Sequence, residues 1–517
     1  MNDELKNKTF FPPLPKGWVW VRLGEIGEYI NGRAFKPSEW EKHGRPIIRI
    51  QNLTGSTDKI NYYSKPIEEK FIVRNGDLLI SWSATLGVFI YKGEEAVLNQ
   101  HIFKVQPYID RKFLYFLFTA FIEELKRKVH GTGMQHITKY KFENSYVPLP
   151  PLPEQHRIVA KIEELFTKLD AGVEALKKAK EQIKRYRQAV LKYAFEGKLT
   201  EEWRKNNVEL LMLNDELKQI ENSTLNIQHS KLNIQNYEPA SILLEKIKAE
   251  RKKKLGKKYK ELPPVDTSEL PELPEGWVWV RLGEITEMIQ YGTSEKATSE
   301  FAGIPVLRMG NIQDGKIIFK DLKYFPKEWP YINDFILQDG DILFNRTNSA
   351  ELVGKTAVYK KFHPPAVFAS YLIRIKVNKN FYVSDLLSYF INSIFGKEYI
   401  ASVVSQQVGQ ANVNGTKLSL MPIPLPPLSE QHKIVEEIER RFSVADEVEK
   451  AIDNSLKQAE RLRQSILKRA FEGKLVPQDP NDEPAEKLLE RIKAEKEKQF
   501  EITRNNFANK SKGSRKK

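Results

Sequence analysis

The chain has 517 residues, 83 Lys and Arg against 68 Asp and Glu, a net charge of +15, and no cysteine. That length holds two to four domains, and the missing thiols exclude a disulfide framework, a thiol nucleophile and a thiolate metal site. The longest apolar run, residues 113–122, is too short to span a bilayer, and the start Met1-Asn2-Asp3-Glu4 is no signal peptide, so a soluble, cytoplasmic protein is expected.

In chain order, the block GWVWVRLGEI comes first, at Gly17, and returns unchanged at Gly276. A variable insert follows each copy. Arg49-Ile50-Gln51-Asn52 lies opposite Arg308-Met309-Gly310-Asn311. Asn75-Gly76-Asp77 leads into Leu78-Leu79-Ile80-Ser81, as Asp339-Gly340-Asp341 leads into Ile342-Leu343-Phe344-Asn345, and both read as a turn opening a short strand. Residues 97–105 and 367–375 read as strands, and 113–128 and 384–395 as helices. Each insert is thus a small mixed α/β domain of roughly 130–150 residues, an ordinary size.

Pro148-Leu149-Pro150-Pro151-Leu152 closes the first insert and returns as Pro424-Leu425-Pro426-Pro427-Leu428. A long helix is predicted after each. In the first, apolar or small residues fall at Ile158, Ile162, Leu165, Leu169, Gly172, Leu176, Ala179, Ile183, Tyr186 and Val190; in the second, at Ile434, Ile438, Phe442, Ala445, Val448, Ile452, Ala459, Leu462 and Ile466. Steps of four and three give the 3.5-residue period of a coiled coil. Arg441 and Ser455 weaken the second seam, and Gly197 and Gly473 end the helices. Each helix spans roughly 60 Å. Each is the obvious partner of the other, which predicts an antiparallel pair holding the inserts apart. Ala194-Phe195-Glu196-Gly197-Lys198-Leu199 closes the first copy and recurs from Ala470.

The copies are offset by 259 residues at the opening block and by 276 from the proline block onward, so the second insert is 17 residues longer. A frame that stays while its insert changes suits a scaffold with interchangeable readers. The linker is rich in Asn, Gln and Lys. An amphipathic helix after Glu238-Pro239-Ala240 resembles one after Glu483-Pro484-Ala485 and is a plausible docking element for a partner. Much of the positive charge sits in two runs, +6 over residues 245–261 and +5 over 510–517, which favours nucleic acid as partner without placing the site. The expected layout is 1–150, 151–199, 200–270, 271–426, 427–475 and 476–517: domain, helix, linker, domain, helix, then helix with basic tail.

No catalytic constellation emerges. Gly354-Lys355-Thr356 lacks the earlier glycine of a phosphate loop, where Ser349 stands. Glu196-Gly197-Lys198 and Glu472-Gly473-Lys474 read as helix ends, and the histidines, including His156 and His432, lack metal spacing. No cofactor or metal is expected in this chain.

The opening block, the Pro-Leu-Pro-Pro-Leu-x-Glu-Gln-His-[Arg/Lys]-Ile-Val stretch and the Phe-Glu-Gly-Lys-Leu exit, in order and twice, resemble the specificity subunit of prokaryotic Type I restriction–modification systems. The resemblance implies an α+β protein: two target-recognition domains joined by two long antiparallel coiled-coil helices in an internal pseudo-two-fold repeat. It implies double-stranded DNA as ligand, two modification subunits carrying S-adenosylmethionine, and two restriction subunits using ATP and Mg. This chain itself would catalyse nothing. Sequence readout needs Arg, Lys, Asn, Gln, Ser or Thr at base edges. The candidates are Arg33, Lys36, Arg49, Gln51, Asn52, Trp82, Ser83, Gln135, His136 and Lys139 in the first insert. In the second they are Thr293, Ser294, Arg308, Asn311, Asn345, Arg346, Thr347, Asn348, Gln407, Gln410 and Asn412. Their difference predicts two different half-sites and an asymmetric target. A non-specific scaffold, a decoy subunit, or an enzyme with an unrecognised site remain the open alternatives.

Overall fold

The computed structural model describes residues 13–83, 85–128, 138–207, 238–299, 303–349, 351–407 and 410–513. Gln135 and His136 lie outside them. The chain forms two compact units, residues 1–177 with 453–517 (unit 1) and residues 178–452 (unit 2). These units are not the two halves of the repeat.

The recurring blocks recur because they bind each other. Val19–Arg22 pairs antiparallel with Tyr146–Leu149, and Val278–Arg281 with Pro422–Leu425. Trp18 Nε1 donates to buried Glu154 at 2.9 Å, and Trp277 Nε1 to buried Glu430 at 2.8 Å. Gln155 and Gln431 donate to the carbonyls of Pro150 and Pro426. The Glu-Gln pair of each motif therefore ties the helix start to the opening block and the proline block, where a buried indole N–H needs an acceptor.

Each insert carries the same antiparallel four-stranded sheet. In unit 1 the order is Gly27–Asn31, Ile102–Pro107, Leu78–Ser81, Gly87–Ile90; in unit 2 it is Thr286–Tyr291, Leu372–Val377, Ile342–Asn345, Thr356–Val358. A second sheet holds Asn61–Tyr63, Arg45–Ile48, Ala96–Leu98 and Ile72–Val73 in unit 1, and Lys323–Phe325, Ile304–Leu307 and Val367–Phe368 in unit 2. Unit 2 adds a small sheet of Thr347–Asn348, Gln410–Asn412 and Ser405–Gln407.

Three predicted elements are corrected. The strand expected over 97–105 is broken at residues 99–101, and its pieces, Ala96–Leu98 and Ile102–Pro107, enter different sheets. The apolar pattern runs through the break, but a turn keeps the polar Asn99-Gln100-His101 out of the core. The same break divides 367–375. The helix expected over 384–395 stops at Asn392, and Ser393 caps a second helix, Ile394–Val403, by accepting from Gly396 N.

The long helices are Leu152–Phe195 and Leu428–Phe471, 44 residues each. Both end at a left-handed glycine, Gly197 at φ +69° and Gly473 at φ +68°, as predicted. A Cβ on either would also meet a proline, Pro274 at 2.1 Å or Pro15 at 2.2 Å. Within each unit the two helix segments run antiparallel. Arg187 pairs with Asp446 at 2.6 Å and Glu449 at 2.7 Å in unit 2, and Arg463 pairs with Asp170 in unit 1. The seam departs from its predicted line at Gly172, Tyr186, Val448 and Leu462, which are exposed, while Arg187, Glu449 and Arg463 are half-buried. Long arginine stems cover apolar surface there while their heads find carboxylates.

Each core draws on distant chain. Unit 1 buries Ile158 and Ile162 from the first helix, Ile466, Leu467 and Ala470 from the second, and Leu488 and Ile492 from the C-terminal helix Ala485–Gly513. Unit 2 buries Val190, Ala194 and Phe195, Ile434 and Ile438, and Leu243 and Ile247 from the helix Ala240–Leu255. Ala485 N donates to Gly17 O at 2.9 Å and Ala240 N to Gly276 O at 3.0 Å. The amphipathic faces read as docking elements for another protein are therefore buried on the chain's own opening blocks.

Candidate nucleic-acid interface

Four chain segments converge at one end of each insert, joined by main-chain hydrogen bonds. In unit 1, Gly32 N donates to Ile102 O (3.1 Å), Arg33 N to Leu98 O (2.8 Å), Trp82 N to His101 O (3.3 Å), and Asn99 N to Ile48 O (3.1 Å). In unit 2 the equivalents are Gly292 N to Leu372 O (3.1 Å), Thr293 N to Phe368 O (3.1 Å), Arg346 N to Tyr371 O (3.0 Å), and Ala369 N to Leu307 O (2.9 Å). The approach requires glycine, since a Cβ on Gly32 would lie 2.1 Å from Asn99 O and one on Gly292 2.3 Å from Ala369 O. Because side chains take no part in these bonds, they can differ freely.

They do differ. In unit 1, Trp82 is half-buried, its ring stacked on Phe103 (5.7 Å) and edge-on to His101 (5.5 Å), with Ser83 buried beside it. Arg33 lies over Phe35 and Tyr63 and pairs with Glu39 at 2.5 Å. The Lys36 backbone N–H, then Arg33, hold the Glu39 carboxyl below the usual carboxylate range. Arg49 lies over Trp40 at 5.4 Å. Asn52 accepts from Arg49 N and donates to Lys59 O, so the fold occupies both ends of its amide. Lys36 and Gln51 are exposed. Lys139 opens the helix Lys139–Glu143, which packs against the opening block rather than joining the converging loops.

In unit 2, the loop between Ile342–Asn345 and Thr356–Val358 is four residues longer than its counterpart: Phe344 faces Thr356, where Ile80 faces Val88. Arg346 sits over the Tyr291 ring at 4.7 Å and donates to Asn412 Oδ1 at 3.2 Å and Ser370 O at 3.5 Å. Thr347 and Asn348 pair with Asn412 and Ala411, and Gln407 pairs with Gln410. Asn345 is fully buried, donating to Leu352 O. Thr293 is buried and accepts from Glu295 N, while Ser294 is exposed. Arg308 donates to Asp321 O. Asn311, also buried, accepts from Arg308 N and donates to Ile318 O and Lys320 O. Asn52 and Asn311 thus do the same structural job in the two copies.

The converging loops also contain residues that sequence reasoning passed over: Tyr291, the turn 99–101 and the turn 369–371. The signal was present in the matched runs Ala96-Val97-Leu98-Asn99-Gln100-His101-Ile102 and Ala366-Val367-Phe368-Ala369-Ser370-Tyr371-Leu372. Apolar residues flank each turn on both sides, so the run has the pattern of one continuous strand.

A duplicated backbone frame holding unlike polar contents has a match among known proteins. The family profile for the Type I restriction modification DNA specificity domain matches residues 15–185 and again 274–458. The chain belongs to this family. It is 26% identical to the Type I restriction enzyme EcoKI specificity subunit of Escherichia coli (strain K12), over 93% of this chain and 96% of that one. It is 29% identical to the EcoAI specificity subunit of Escherichia coli, over 84% of this chain and 79% of the relative. A solved structure concerned with complex assembly and conformational transition of the type I R-M system contains a chain of the same fold, with TM-score 0.59 and 18% identity over 90% of this chain and all of that chain. The chain is thus a Type I specificity subunit. No described helix of this specificity subunit is long and apolar enough to cross a membrane.

Proposed function

We propose that this specificity subunit selects a bipartite, asymmetric DNA site for a Type I restriction–modification complex, each unit reading one half-site through its converging loops. The observation that carries this reading is the pair of matched backbone frames with different side chains: Trp82 and Ser83 in one, Arg346 to Asn348 in the other. Phosphate contacts position a protein on DNA, and base-edge contacts specify sequence. In this reading Arg346, steadied over Tyr291 and by Asn412, offers its guanidinium to a base edge. Asn52 and Asn311, whose amides the fold occupies, shape these loops from within.

In this reading the long helices receive two modification subunits, through which two restriction subunits join. S-adenosylmethionine, ATP and Mg belong to those partners, and this chain performs no chemical step. The complex works in the prokaryotic cytoplasm, where its DNA lies. Methylome sequencing of a methylation-free host tests the proposal, comparing the modification subunit expressed with and without this chain. A bipartite, non-palindromic methylated-adenine motif that requires this chain is expected. No new motif from co-purifying subunits would point to a scaffold or decoy, and a palindromic motif would refute the asymmetry.

A further inference from the structure

The turn 99–101 lies at the centre of the unit 1 cluster: Asn99 is bonded toward Ile48, His101 O accepts from Trp82 N, and the turn closes by Ile102 N donating to Asn99 O at 3.2 Å. Its side chains are of the kinds that bond base edges. Gln100 Oε1 and His101 Nδ1 are buried atoms with no hydrogen-bond partner among the described residues. The His101 ring meets the Trp82 ring edge-on. A buried polar group without a partner costs free energy, and a base edge met on DNA binding would supply the missing partner. The equivalent turn in unit 2, Ala369-Ser370-Tyr371, has neither amide nor imidazole, and Ser370 O is taken by Arg346.

We infer that Gln100 and His101 are specificity-determining residues for the half-site of unit 1, hydrogen-bonding base edges from the turn, whereas unit 2 reads from its longer loop through Arg346. This rests on the proposed DNA-reading function and adds that the two copies read from different loops of the same frame. A glutamine amide matches the N6 and N7 groups of adenine, and a glutamate carboxylate accepts instead from the N4 amine of cytosine.

The test uses the full chain in complex with its modification subunit, with the methylome as readout. Gln100→Leu and His101→Phe, the latter keeping a ring against Trp82, should each make one position degenerate, with preference falling about ten- to a hundredfold. Only the half-site that Arg346→Ala leaves intact should change. Gln100→Glu should move the preference at its position from adenine toward cytosine. Co-purification and thermal melting of each variant complex should match the wild type. An unchanged motif in all three variants overturns the inference, as does equal loss in both half-sites. A wild-type complex yielding no bipartite motif overturns the underlying reading, and this inference with it.

Discussion

Unit 1 and unit 2 hold the same frame with different contents, and the difference runs deeper than the converging loops. In unit 1, Glu154 accepts from Trp18 and, at 3.4 Å, from Gln478. In unit 2, Glu430 accepts from Trp277, from Thr200 at 2.7 Å and from Arg204 at 3.0 Å. Thr200 and Arg204 follow the first Phe-Glu-Gly-Lys-Leu block and Gln478 follows the second, where the repeat has ceased to match. What both copies keep is the indole-to-carboxylate bond and the backbone scaffold. What they vary is everything the scaffold does not need. A frame built from main-chain hydrogen bonds releases its side chains to diverge, and divergent side chains are what recognition of two unlike half-sites requires.

The sharpest way to break this comparison is to neutralise the two carboxylates in turn. Glu430→Gln should strip the nearly buried Arg204 of its anion and destabilise unit 2 by about 3 kcal/mol, read by hydrogen exchange of unit 2 amides. Glu154→Gln has no such cation to strand, and its cost should stay below about 1 kcal/mol. Burial raises the Glu154 carboxyl above its ordinary value. Its stabilising contribution is therefore complete below the unfolded value and is lost as pH rises through the folded one. The gap between wild type and Glu154→Gln should accordingly shift toward the variant from acid to neutral pH. Equal costs for the two substitutions would mean that the two anchors are energetically alike.

Next come the glycines. Gly32→Ala and Gly292→Ala force a methyl against a carbonyl and should each cost about 1–3 kcal/mol and blur only their own unit's half-site. Should either leave both the motif and the stability unchanged, the converging loops are not what holds the readers. Arg346→Ala should then relax discrimination in one half-site by about 1–3 kcal/mol. Uniform weakening on all sequences would make it a phosphate contact instead. The smallest effect belongs to Asp170→Asn, since the exposed Asp170 carboxylate paired with Arg463 should contribute about 0.5 kcal/mol to thermal stability.

Much of this was legible in the chain. The decapeptide at Gly17 and Gly276, the glycine stops at 197 and 473 and the register of Leu78–Ser81 with Ile342–Asn345 all come from local pattern, and each stands where it was expected. The turn at 99–101 was not legible, because Leu98 and Ile102 continue an apolar run whether or not the strand breaks between them. Nor was the burial of Asn311, a residue type that suits a base edge as well as a turn.

The sequence by itself determined that there are two copies, where their frames lie and which family they belong to, since repeats and hydrophobic periods are properties of neighbouring residues. Only the tertiary structure decided that unit 1 takes its core from residues 1–177 and 453–517, that each amphipathic helix serves the chain's own opening block, and that Gln100 and His101 stand among the converging loops. Those facts depend on which distant apolar faces bury one another, and that choice is made by packing across hundreds of residues, beyond the reach of any local period.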